Sequence, residues 1–272
     1  MNNILEATSI NKIVELGKNN DLHILKDVNL EIKEGEFVSV MGPSGSGKST
    51  LLYNVSGMDR ISSGNVLFKG NEIGKLKEEN LAKIRLNNMG FIFQNINLLK
   101  NLSLIDNVMF PALVSKDADK NKVYKKAKKL FEMTGIGSLE NNNINQASGG
   151  QLQRVAICRA LINEPDIIFG DEPTGALDSK SATEIMSLLT EINKKGTTIM
   201  LVTHDAKVAA KTEKILFMVD GKIVAQKKMS KYNAQIDNMK EREESILKWV
   251  VENTDTYHNK DSFDVSGKKM AK

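Results

Sequence analysis

One stretch of the chain constrains the fold more than any other, because it matches the phosphate-binding pattern G-x-x-x-x-G-K-[ST]. It consists of Gly42, Pro43, Ser44, Gly45, Ser46, Gly47, Lys48, Ser49 and the adjoining Thr50. The apolar run 37–41 precedes this stretch and two leucines follow it, which is the strand, loop and helix setting that the pattern requires. The sequence therefore predicts a nucleotide triphosphate as the ligand.

The residue types in this stretch suit a bound phosphate. Glycines allow consecutive backbone N–H groups to converge on an anion, and the N-terminus of the following helix carries a partial positive charge. We expect Lys48 to reach the β- and γ-phosphate oxygens and Ser49 to ligate Mg²⁺. A Gly/Ser-rich linker or a tight turn is disfavoured, because strand and helix patterns flank the stretch.

Composition narrows the class of protein. The 272 residues are 40% hydrophobic and 26% charged, as in an ordinary soluble globular protein with enough length for a core. The formal net charge is only +4 and the lysine run 125–129 is typical of a solvated helix face, so no nucleic-acid partner is expected. The single cysteine, Cys158, lies in an apolar helix-like run, which favours a small buried side chain in a reducing compartment.

The sequence contains neither a recognisable signal peptide nor a membrane-spanning segment. The N-terminus lacks the basic and apolar regions of a signal peptide. No stretch approaches the roughly 20 consecutive apolar residues that span a bilayer. We therefore expect a cytosolic chain that works at a membrane only through a partner.

Strand and helix patterns alternate along most of the chain. Short apolar runs bounded by Gly, Asp or Lys occur at 38–41, 66–68, 90–93, 167–170, 198–202 and 215–219. Helical patterns lie between them, which predicts an α/β fold with a mainly parallel sheet. The stretch of about 95–161 has helical periodicity and no convincing strand, so we interpret it as a helical insertion into the nucleotide-binding core.

The C-terminal part differs in composition. After Gly221 the chain is richer in Lys, Asn, Glu and Met, which favours a division into a nucleotide-binding domain at 1–225 and an extension at 226–272. From Glu252 onward the residues are polar, and a loose tail is expected. An apolar stripe at roughly helical spacing predicts one helix in the extension, formed by Ile236, Met239, Ile246, Leu247 and Val250 with Trp249 beside it.

The run 167–172 is an apolar strand that ends in two carboxylates. A buried strand would deliver Asp171 to a Mg²⁺ coordination sphere and place Glu172 toward the γ-phosphate and an attacking water. Adjacent acids at a strand end are common surface features on their own. The phosphate-binding stretch makes the functional interpretation the favoured one.

Further motifs between and after these two resemble those of ATP-binding-cassette (ABC) ATPases. Ser148-Gly149-Gly150-Gln151 resembles the signature motif, and Gln94 at the end of an apolar run resembles the Q-loop glutamine. Asp178 in 176–178 resembles the D-loop aspartate, and His204 resembles the switch histidine. Each motif alone is weak evidence, but their order and spacing across 42–205 match the family. The resemblance implies a P-loop NTPase core with a mainly parallel sheet, a helical insertion and a small antiparallel β part.

The resemblance also implies roles for these residues. Lys48 would stabilise the transferring phosphoryl charge, while Ser49, Gln94 and Asp171 would hold Mg²⁺ directly or through water. Glu172 would orient or deprotonate the attacking water, and His204 would contact the γ-phosphate. In the family the signature residues touch the γ-phosphate bound by the opposite subunit, so a second copy of the chain is expected in a dimer that encloses two ATP molecules. The nucleotide-binding set would then include Ser148, Gly149, Gly150, Gln151 and Asp178.

The chain departs from the family pattern in three places. Ala147 stands where the signature usually begins with Leu, and Gly170 stands where Ala is frequent. The third departure is the absence of Tyr, Phe or Trp before Phe37, so the aromatic that normally stacks on adenine is missing. Val14 or Leu16 is expected in that neighbourhood, at a cost of about 1 kcal/mol in stacking energy.

The run 173–180 and the Trp-bearing extension most resemble ATPases of antimicrobial-peptide resistance transporters. These are related to lipoprotein-release, macrolide-export and cell-division ATPases. The expected role is ATP hydrolysis that powers a membrane permease, with the chain bound peripherally at the cytoplasmic face of the cell membrane. A regulatory cassette of the cell-division type is the main alternative. A soluble nucleic-acid or ribosome-associated cassette protein is a weaker one, since such proteins usually carry tandem cassettes or a long coiled-coil insertion.

The segment 95–102 follows the Q-loop glutamine and contains Leu98, Leu99 and Leu102. In the family a short helix of the permease docks near this position, so we expect these leucines to contact the permease. The alternative is that they belong to the core, because apolar side chains at such spacing are usually buried.

Overall fold

Strands and helices alternate through most of the computed structural model, which describes residues 2–15, 17, 20–114 and 118–261, without the side chains of 258–261. The strands are β1 (Asn3–Glu15), β2 (Asp21–Lys33), β3 (Phe37–Met41), β4 (Ser63–Phe68), β5 (Asn71–Glu72), β6 (Met89–Ile92), β7 (Ile167–Asp171), β8 (Thr198–Val202), β9 (Lys214–Val219) and β10 (Lys222–Lys228). The helices are α1 (Lys48–Val55), α2 (Glu78–Asn88), α3 (Leu104–Met109), α4 (Lys120–Met133), α5 (Gly149–Leu161), α6 (Ser179–Lys194), α7 (Ala206–Ala209) and α8 (Met239–Asp261). Short 3₁₀ turns lie at Ile73–Lys75, Phe110–Leu113, Gly137–Leu139 and Ile144–Gln146.

A mainly parallel sheet forms the centre of the fold, with the strand order β10-β9-β3-β8-β7-β6. The neighbours from β9 to β6 pair in parallel, and β10 closes the β9 edge as an antiparallel hairpin. All residues of β3, β8 and β9 are buried, which explains why their sequences read as continuous apolar runs. The α/β fold predicted from those runs is confirmed.

A second, antiparallel sheet has the strand order β2-β1-β4-β5. The predicted strand at 66–68 belongs to this sheet, as part of β4, and not to the parallel core. The long strands β1 and β2 were not evident from the sequence, because β-bulges shift their register between Ala7 and Ile10 and interrupt the apolar alternation. Ser9 and Asp27 have positive φ angles of 49° and 50° at these irregularities.

The predicted insertion at 95–161 contains α3, α4 and α5, and no strand occurs among its described residues. These helices pack around their own apolar cluster, in which Phe131, Val155 and Cys158 are fully buried. Burial raises the pKa of the Cys158 thiol to about 12, and the thiol lies 3.2 Å from the Thr134 hydroxyl. The sulfur therefore behaves as a buried core atom, in line with the expectation from the sequence.

The helix α8 packs on the outer face of β9, where it joins an apolar cluster with α7. Ile246 is fully buried, and the Trp249 ring meets the Phe217 ring edge-on at 5.8 Å. The predicted stripe is only partly correct, since Ile236 is 81% exposed and Leu247 is 49% exposed. The buried face instead follows Ile246, Trp249 and Val250, which is the i, i+3 and i+4 spacing of one helix face.

The loose tail predicted from Glu252 is wrong for 252–261, because α8 continues to Asp261. Hydrogen bonds from polar side chains to backbone oxygens one turn earlier accompany this part of the helix, from Asn253 to Trp249 at 2.7 Å and from Thr254 to Val250 at 2.8 Å. Residues 262–272 lie outside the described residues. None of the described helices is long and apolar enough to cross a lipid bilayer.

Candidate nucleotide site

The phosphate-binding stretch forms the loop between β3 and α1. Gly47 caps α1 with a φ of 95°, a left-handed conformation that glycine adopts without steric cost. Gly42 lies so close to β9 that an added Cβ would stand 2.0 Å from the backbone oxygen of Met218. The loop therefore requires glycine at both positions, one for its turn into the helix and one for its contact with the sheet.

The Lys48 side chain lies inside this loop and is only 7% exposed. Its ammonium donates hydrogen bonds to the backbone oxygens of Gly42 at 2.9 Å and Pro43 at 2.8 Å. Burial lowers the pKa of Lys48, and the nearby carboxylates of Glu172 and Asp171 oppose this effect. The ammonium is thus placed between the loop and two acids, where an anionic ligand would add a favourable partner.

Asp171 ends β7 and connects this strand to α1. Its Oδ1 accepts a hydrogen bond from Ser49 Oγ at 2.8 Å, and its Oδ2 accepts one from the Tyr53 hydroxyl at 2.6 Å. Burial and the hydrogen bond to Asp171 both raise the pKa of Tyr53, which keeps the hydroxyl protonated as a donor. The sequence did not single out Tyr53, although its place four residues after Ser49 puts both side chains on one face of α1.

Glu172 follows directly and holds two other predicted residues around its carboxylate. His204 Nδ1 lies 3.0 Å from one carboxylate oxygen, and Gln94 Nε2 donates to the other at 3.3 Å. Glu172 has a φ of 45°, a left-handed conformation that costs a non-glycine residue about 1–2 kcal/mol. Its backbone N–H donates to Val202 O at 3.0 Å, which stabilises this turn against the end of β8.

The carboxyl ends of β6, β7 and β8 lie at one edge of the parallel sheet, and this edge borders an open cleft of about 1160 Å³. The predicted residues that line the cleft are Ser44, Gly45, Gly47, Lys48, Ser49, Thr50, Gln94, Glu172 and His204. Other lining residues were not predicted, namely Leu22, His23, Ile24, Lys26, Asp220, Gly221, Lys222 and Tyr257. A crevice at the carboxyl edge of parallel strands is the usual ligand position in α/β folds.

Val14 and Leu16, the two residues expected near the adenine, are only partly covered by the structure. Val14 does not line the cleft, but it pairs across the β1–β2 hairpin with Leu22, which does. Leu16 lies outside the described residues. The described wall of the cleft nearest this hairpin is built by residues 22–24 of β2.

The signature residues lie apart from the cleft within one chain. Ser148, Gly150 and Gln151 line a different cavity of about 520 Å³, together with Ser181 and Arg154. Ser148 caps α5 in a reciprocal capping box, with its N–H donating to Gln151 Oε1 at 2.8 Å. The N-terminus of α5 therefore borders a cavity separate from the cleft, and a helix N-terminus is a favourable place for an anion.

The neighbouring predicted residues Gly149 and Asp178 also lie outside the cleft. A Cβ added to Gly149 would meet the Leu177 side chain at 3.6 Å, so α5 and the stretch before α6 are adjacent. Asp178 caps α6 by accepting hydrogen bonds from the N–H groups of Lys180 and Ser181, both at 3.0 Å. Hydrogen bonds from Ser181 are the main reason that the pKa of Asp178 is lowered.

The donor set around Asp171 fits Mg²⁺ only when a phosphate accompanies it. Among the described residues, no three His, Cys, Asp or Glu side chains are grouped to hold a metal ion. Ser49 Oγ and Asp171 Oδ1 nevertheless present two hard oxygen donors 2.8 Å apart. Mg²⁺ commonly binds through one or two such protein ligands plus waters and substrate phosphates, so Ser49 and Asp171 fit this role. The third predicted ligand, Gln94, lines the same cleft and donates its amide N–H to Glu172 at 3.3 Å.

Comparison with known proteins agrees with the nucleotide site that the geometry indicates. The family model described as ABC transporter matches residues 25–175. An uncharacterised ABC transporter ATP-binding protein of Methanocaldococcus jannaschii is 46% identical over 221 residues, which cover 81% of this chain and 98% of that protein. The bacitracin export ATP-binding protein of Halalkalibacterium halodurans is 43% identical, covering 82% of this chain and 88% of its own.

Longer relatives and solved structures extend the comparison. The macrolide export ATP-binding/permease protein of Aggregatibacter actinomycetemcomitans is 40% identical, and the match covers 87% of this chain but 36% of that protein. A dimeric ATP-binding cassette in a post-hydrolysis state, bound to ADP and phosphate, superposes with a TM-score of 0.78 at 40% identity. That match covers 84% of this chain and all of the solved one.

The Tyr53 hydroxyl gives a test of the site. Tyr53→Phe removes the 2.6 Å hydrogen bond to Asp171 while keeping the ring, so Asp171 is less firmly oriented toward Ser49. We expect the Mg²⁺ concentration for half-maximal ATP hydrolysis to rise about tenfold, the usual effect of losing a partner that orients a metal ligand. The maximal rate at saturating Mg²⁺ should be nearly restored.

A titration of ATPase activity with Mg²⁺ measures this shift. Tyr124→Phe is the matched control, because its hydroxyl lies 3.5 Å from Glu140 in the helical insertion, away from the cleft. An unchanged Mg²⁺ dependence in Tyr53→Phe would mean that Tyr53 is merely a packing residue.

Proposed function

The chain belongs to the ABC transporter family, and we propose that it is the ATP-hydrolysing subunit that drives a membrane permease for the export of, or resistance to, peptide antibiotics. ATP binding and hydrolysis follow from the family and from the matching cassette bound to ADP and phosphate. The observation that supports the assigned residues most directly is the meeting of Lys48, Gln94, Glu172 and His204 on one cleft. Each comes from a different motif of the sequence.

The phosphate loop and Lys48 would bind the triphosphate. First-turn N–H groups of a helix have no intrahelical acceptor, so those of α1 are available to phosphate oxygens. The Lys48 ammonium now rests on two backbone oxygens of the loop, and a phosphate oxygen would replace or join them. Because the side chain is buried, its charge would act on the transferring phosphoryl group with little screening.

Glu172 would act on the attacking water. Its carboxylate is acceptor-only when ionised, so it suits both the orientation of a water and the removal of its proton. Gln94 and His204 hold the two carboxylate oxygens and would keep the group aimed at the cleft. Bound through Ser49 and Asp171, Mg²⁺ would neutralise charge that develops on the phosphate oxygens.

A second copy of the chain would complete the site. Ser148 and Gly150 border a cavity that is separate from the cleft in the same chain. Stacking two chains head to tail would bring the α5 N-terminus of one against the γ-phosphate held by the other. The dimeric state of the matching ADP-bound cassette supports this arrangement.

The proposal that the transported substrate is a peptide antibiotic is supported by the similarity of the chain to export ATPases. The bacitracin export relative is 43% identical over most of both chains, whereas the macrolide exporter carries its permease in the same, longer chain. A peripheral position at the cytoplasmic face would follow from docking to a separate permease.

A regulatory cassette of the cell-division type is the alternative role, and co-purification of the chain with its permease would distinguish the two roles. A large permease with a long extracellular domain supports peptide defence, and a short four-span partner supports the division type.

The hydrolysis assignment is tested by Glu172→Gln. The amide keeps the size of the side chain and can still be held in place, but it no longer accepts a proton. Turnover with the permease present should fall about 10²- to 10⁴-fold, the usual effect of removing a positioned general base, while ATP binding is kept. An ATP-bound dimer should accumulate on gel filtration.

Glu191→Gln is the control, because Glu191 is exposed on α6 and pairs with Lys194 of the same helix at 2.8 Å. Turnover of Glu172→Gln near the wild-type value would refute the assignment of Glu172. Lys48→Ala should instead lose ATP binding itself, which separates the two roles.

A groove next to Gln94 is the proposed docking position for the permease. Phe91, Phe93, Met58 and Pro111 are among the side chains that line it, and its volume is about 380 Å³. Phe93 directly precedes Gln94, so an occupant of the groove would act on a residue that holds Glu172. This adjacency would couple movement of the permease to hydrolysis.

The segment 95–102 borders this groove at Asn97 and is bonded to α5. Arg159 of α5 donates to the backbone oxygens of Asn97 at 2.7 Å and Ile96 at 2.9 Å. Leu98 packs against the apolar cluster of the helical insertion, whereas Leu99 is 47% exposed. The core alternative thus applies to Leu98, and the docking interpretation to Leu99.

Leu99→Asp is the sharper test of docking. We expect this change to abolish assembly with the permease and leave a folded chain that binds ATP, because an exposed position tolerates the charge until a partner covers it. Met133→Asp provides the control, since Met133 is 41% exposed at the end of α4. Intact co-purification of Leu99→Asp with the permease would contradict the docking proposal.

A further inference from the structure

We propose that Tyr257 of α8 supplies the aromatic stacking contact for the nucleobase, since the N-terminal strands carry no Tyr, Phe or Trp. The inference rests on the proposed ATP site and adds a residue from the C-terminal extension to it. Tyr257 lines the same cleft as Gly45, Lys48 and Thr50 of the phosphate loop. Before Phe37 the chain has no Tyr, Phe or Trp, and the imidazole of His23 is the one aromatic ring in that part of the sequence.

The residues that line the cleft differ in chemistry. Gln94, Glu172 and His204 occupy the part where phosphate chemistry is assigned. Apart from the phosphate-binding stretch, the other residues that line the cleft are the apolar Leu22 and Ile24, the imidazole of His23, the cations Lys26 and Lys222, and Asp220, Gly221 and the Tyr257 ring. Apolar and aromatic surfaces with a few polar groups suit a planar base, which presents an apolar face and a polar edge.

The helix α8 is held firmly at its N-terminal half. Arg242 is 8% exposed and donates to the backbone oxygens of Ala210 at 2.7 Å and Thr212 at 3.1 Å. Its other donors reach Ser230, both at the hydroxyl and at the backbone oxygen. These bonds fix the start of α8 to the segment between α7 and β9.

The same face of α8 leads from Arg242 to Tyr257. Ile246, Trp249 and Val250 follow at helical spacing, and Tyr257 comes two turns after Val250. Tyr257 packs against the apolar cluster that contains Met41, the last residue of β3 before the phosphate loop. The position of the Tyr257 ring beside the cleft is therefore set by the packing of α8. It does not result from chance exposure of a side chain at the end of a helix.

The turn between β9 and β10 links this wall to the phosphate loop. Gly221 N donates to Ser46 O at 3.1 Å, and Gly221 O accepts from Lys26 N at 2.9 Å. Its neighbours Asp220 and Lys222 both line the cleft. A base placed beside Tyr257 would thus lie on a surface that is bonded directly to the loop that binds the phosphates.

The test compares ATP with inorganic tripolyphosphate, which carries the charges but no base. Calorimetric titrations of the full-length chain with both ligands would use Tyr257→Ala, Tyr257→Leu and Tyr257→Phe. We expect Tyr257→Ala and Tyr257→Leu to weaken ATP about tenfold, the scale of one base–aromatic contact, and to leave tripolyphosphate unchanged. Tyr257→Phe keeps the ring and should bind ATP nearly as the wild type does.

Thr256→Ala is the matched control, because Thr256 is exposed and its hydroxyl donates to Glu252 O, one turn earlier on the same helix, at 2.7 Å. Trp249 fluorescence reports whether α8 stays docked, and the leucine variant preserves apolar packing if the alanine variant undocks it. Wild-type ATP affinity in Tyr257→Leu, or equal losses for ATP and tripolyphosphate, would overturn the inference. A selective loss of ATP in His23→Ala alone would assign the base contact to His23 instead. Failure of the wild-type chain to bind either ligand would refute the ATP site itself.

Discussion

The hydrogen bonds that Asp171 accepts from Ser49 and Tyr53 fix the arrangement on which the rest of the site depends. They join the first turns of α1 to the end of β7 at 2.8 Å and 2.6 Å. Since the phosphate loop leads into α1, its position relative to the carboxyl edge of the sheet follows from this connection. Glu172 is the next residue along the chain, so the same connection sets the distance between the phosphate loop and the group assigned to water activation.

Hydrogen bonds from neighbouring residues hold Glu172 in its strained backbone conformation. A left-handed backbone at this residue is unfavourable, yet its N–H is bonded to the end of β8, and its carboxylate is held by Gln94 and His204. Gln94 in turn adjoins the groove lined by Phe93. A chain of direct contacts therefore runs from the groove to the carboxylate, which gives a physical route by which a docked permease and bound nucleotide would influence each other.

The sequence predicted the parallel sheet well because both faces of its strands are buried, which leaves unbroken apolar runs. It failed for β1 and β2, where bulges near Ser9 and Asp27 disturb the alternation that marks a half-buried strand. The cleft residues from the motifs were found because their chemistry restricts residue type.

Tyr53 and Tyr257 were missed for a different reason. A tyrosine in a helix carries no positional signature, and its role depends on a partner that is distant in sequence. Asp171 is 118 positions from Tyr53. Tyr257 reaches the cleft only because Arg242, Ile246 and Trp249 fix α8 against the sheet, and such packing is not encoded in any short pattern.

Mixing two inactive variants tests most directly the proposed sharing of the catalytic site between two chains. Lys48→Ala disables the phosphate loop, and Ser148→Arg disables the signature end of α5. In a mixed dimer one site retains both an intact loop and an intact signature, each from a different chain. If the site is shared between two chains, ATP hydrolysis returns when the two inactive proteins are mixed. Absence of hydrolysis in mixed dimers whose formation has been verified by native mass spectrometry would contradict it.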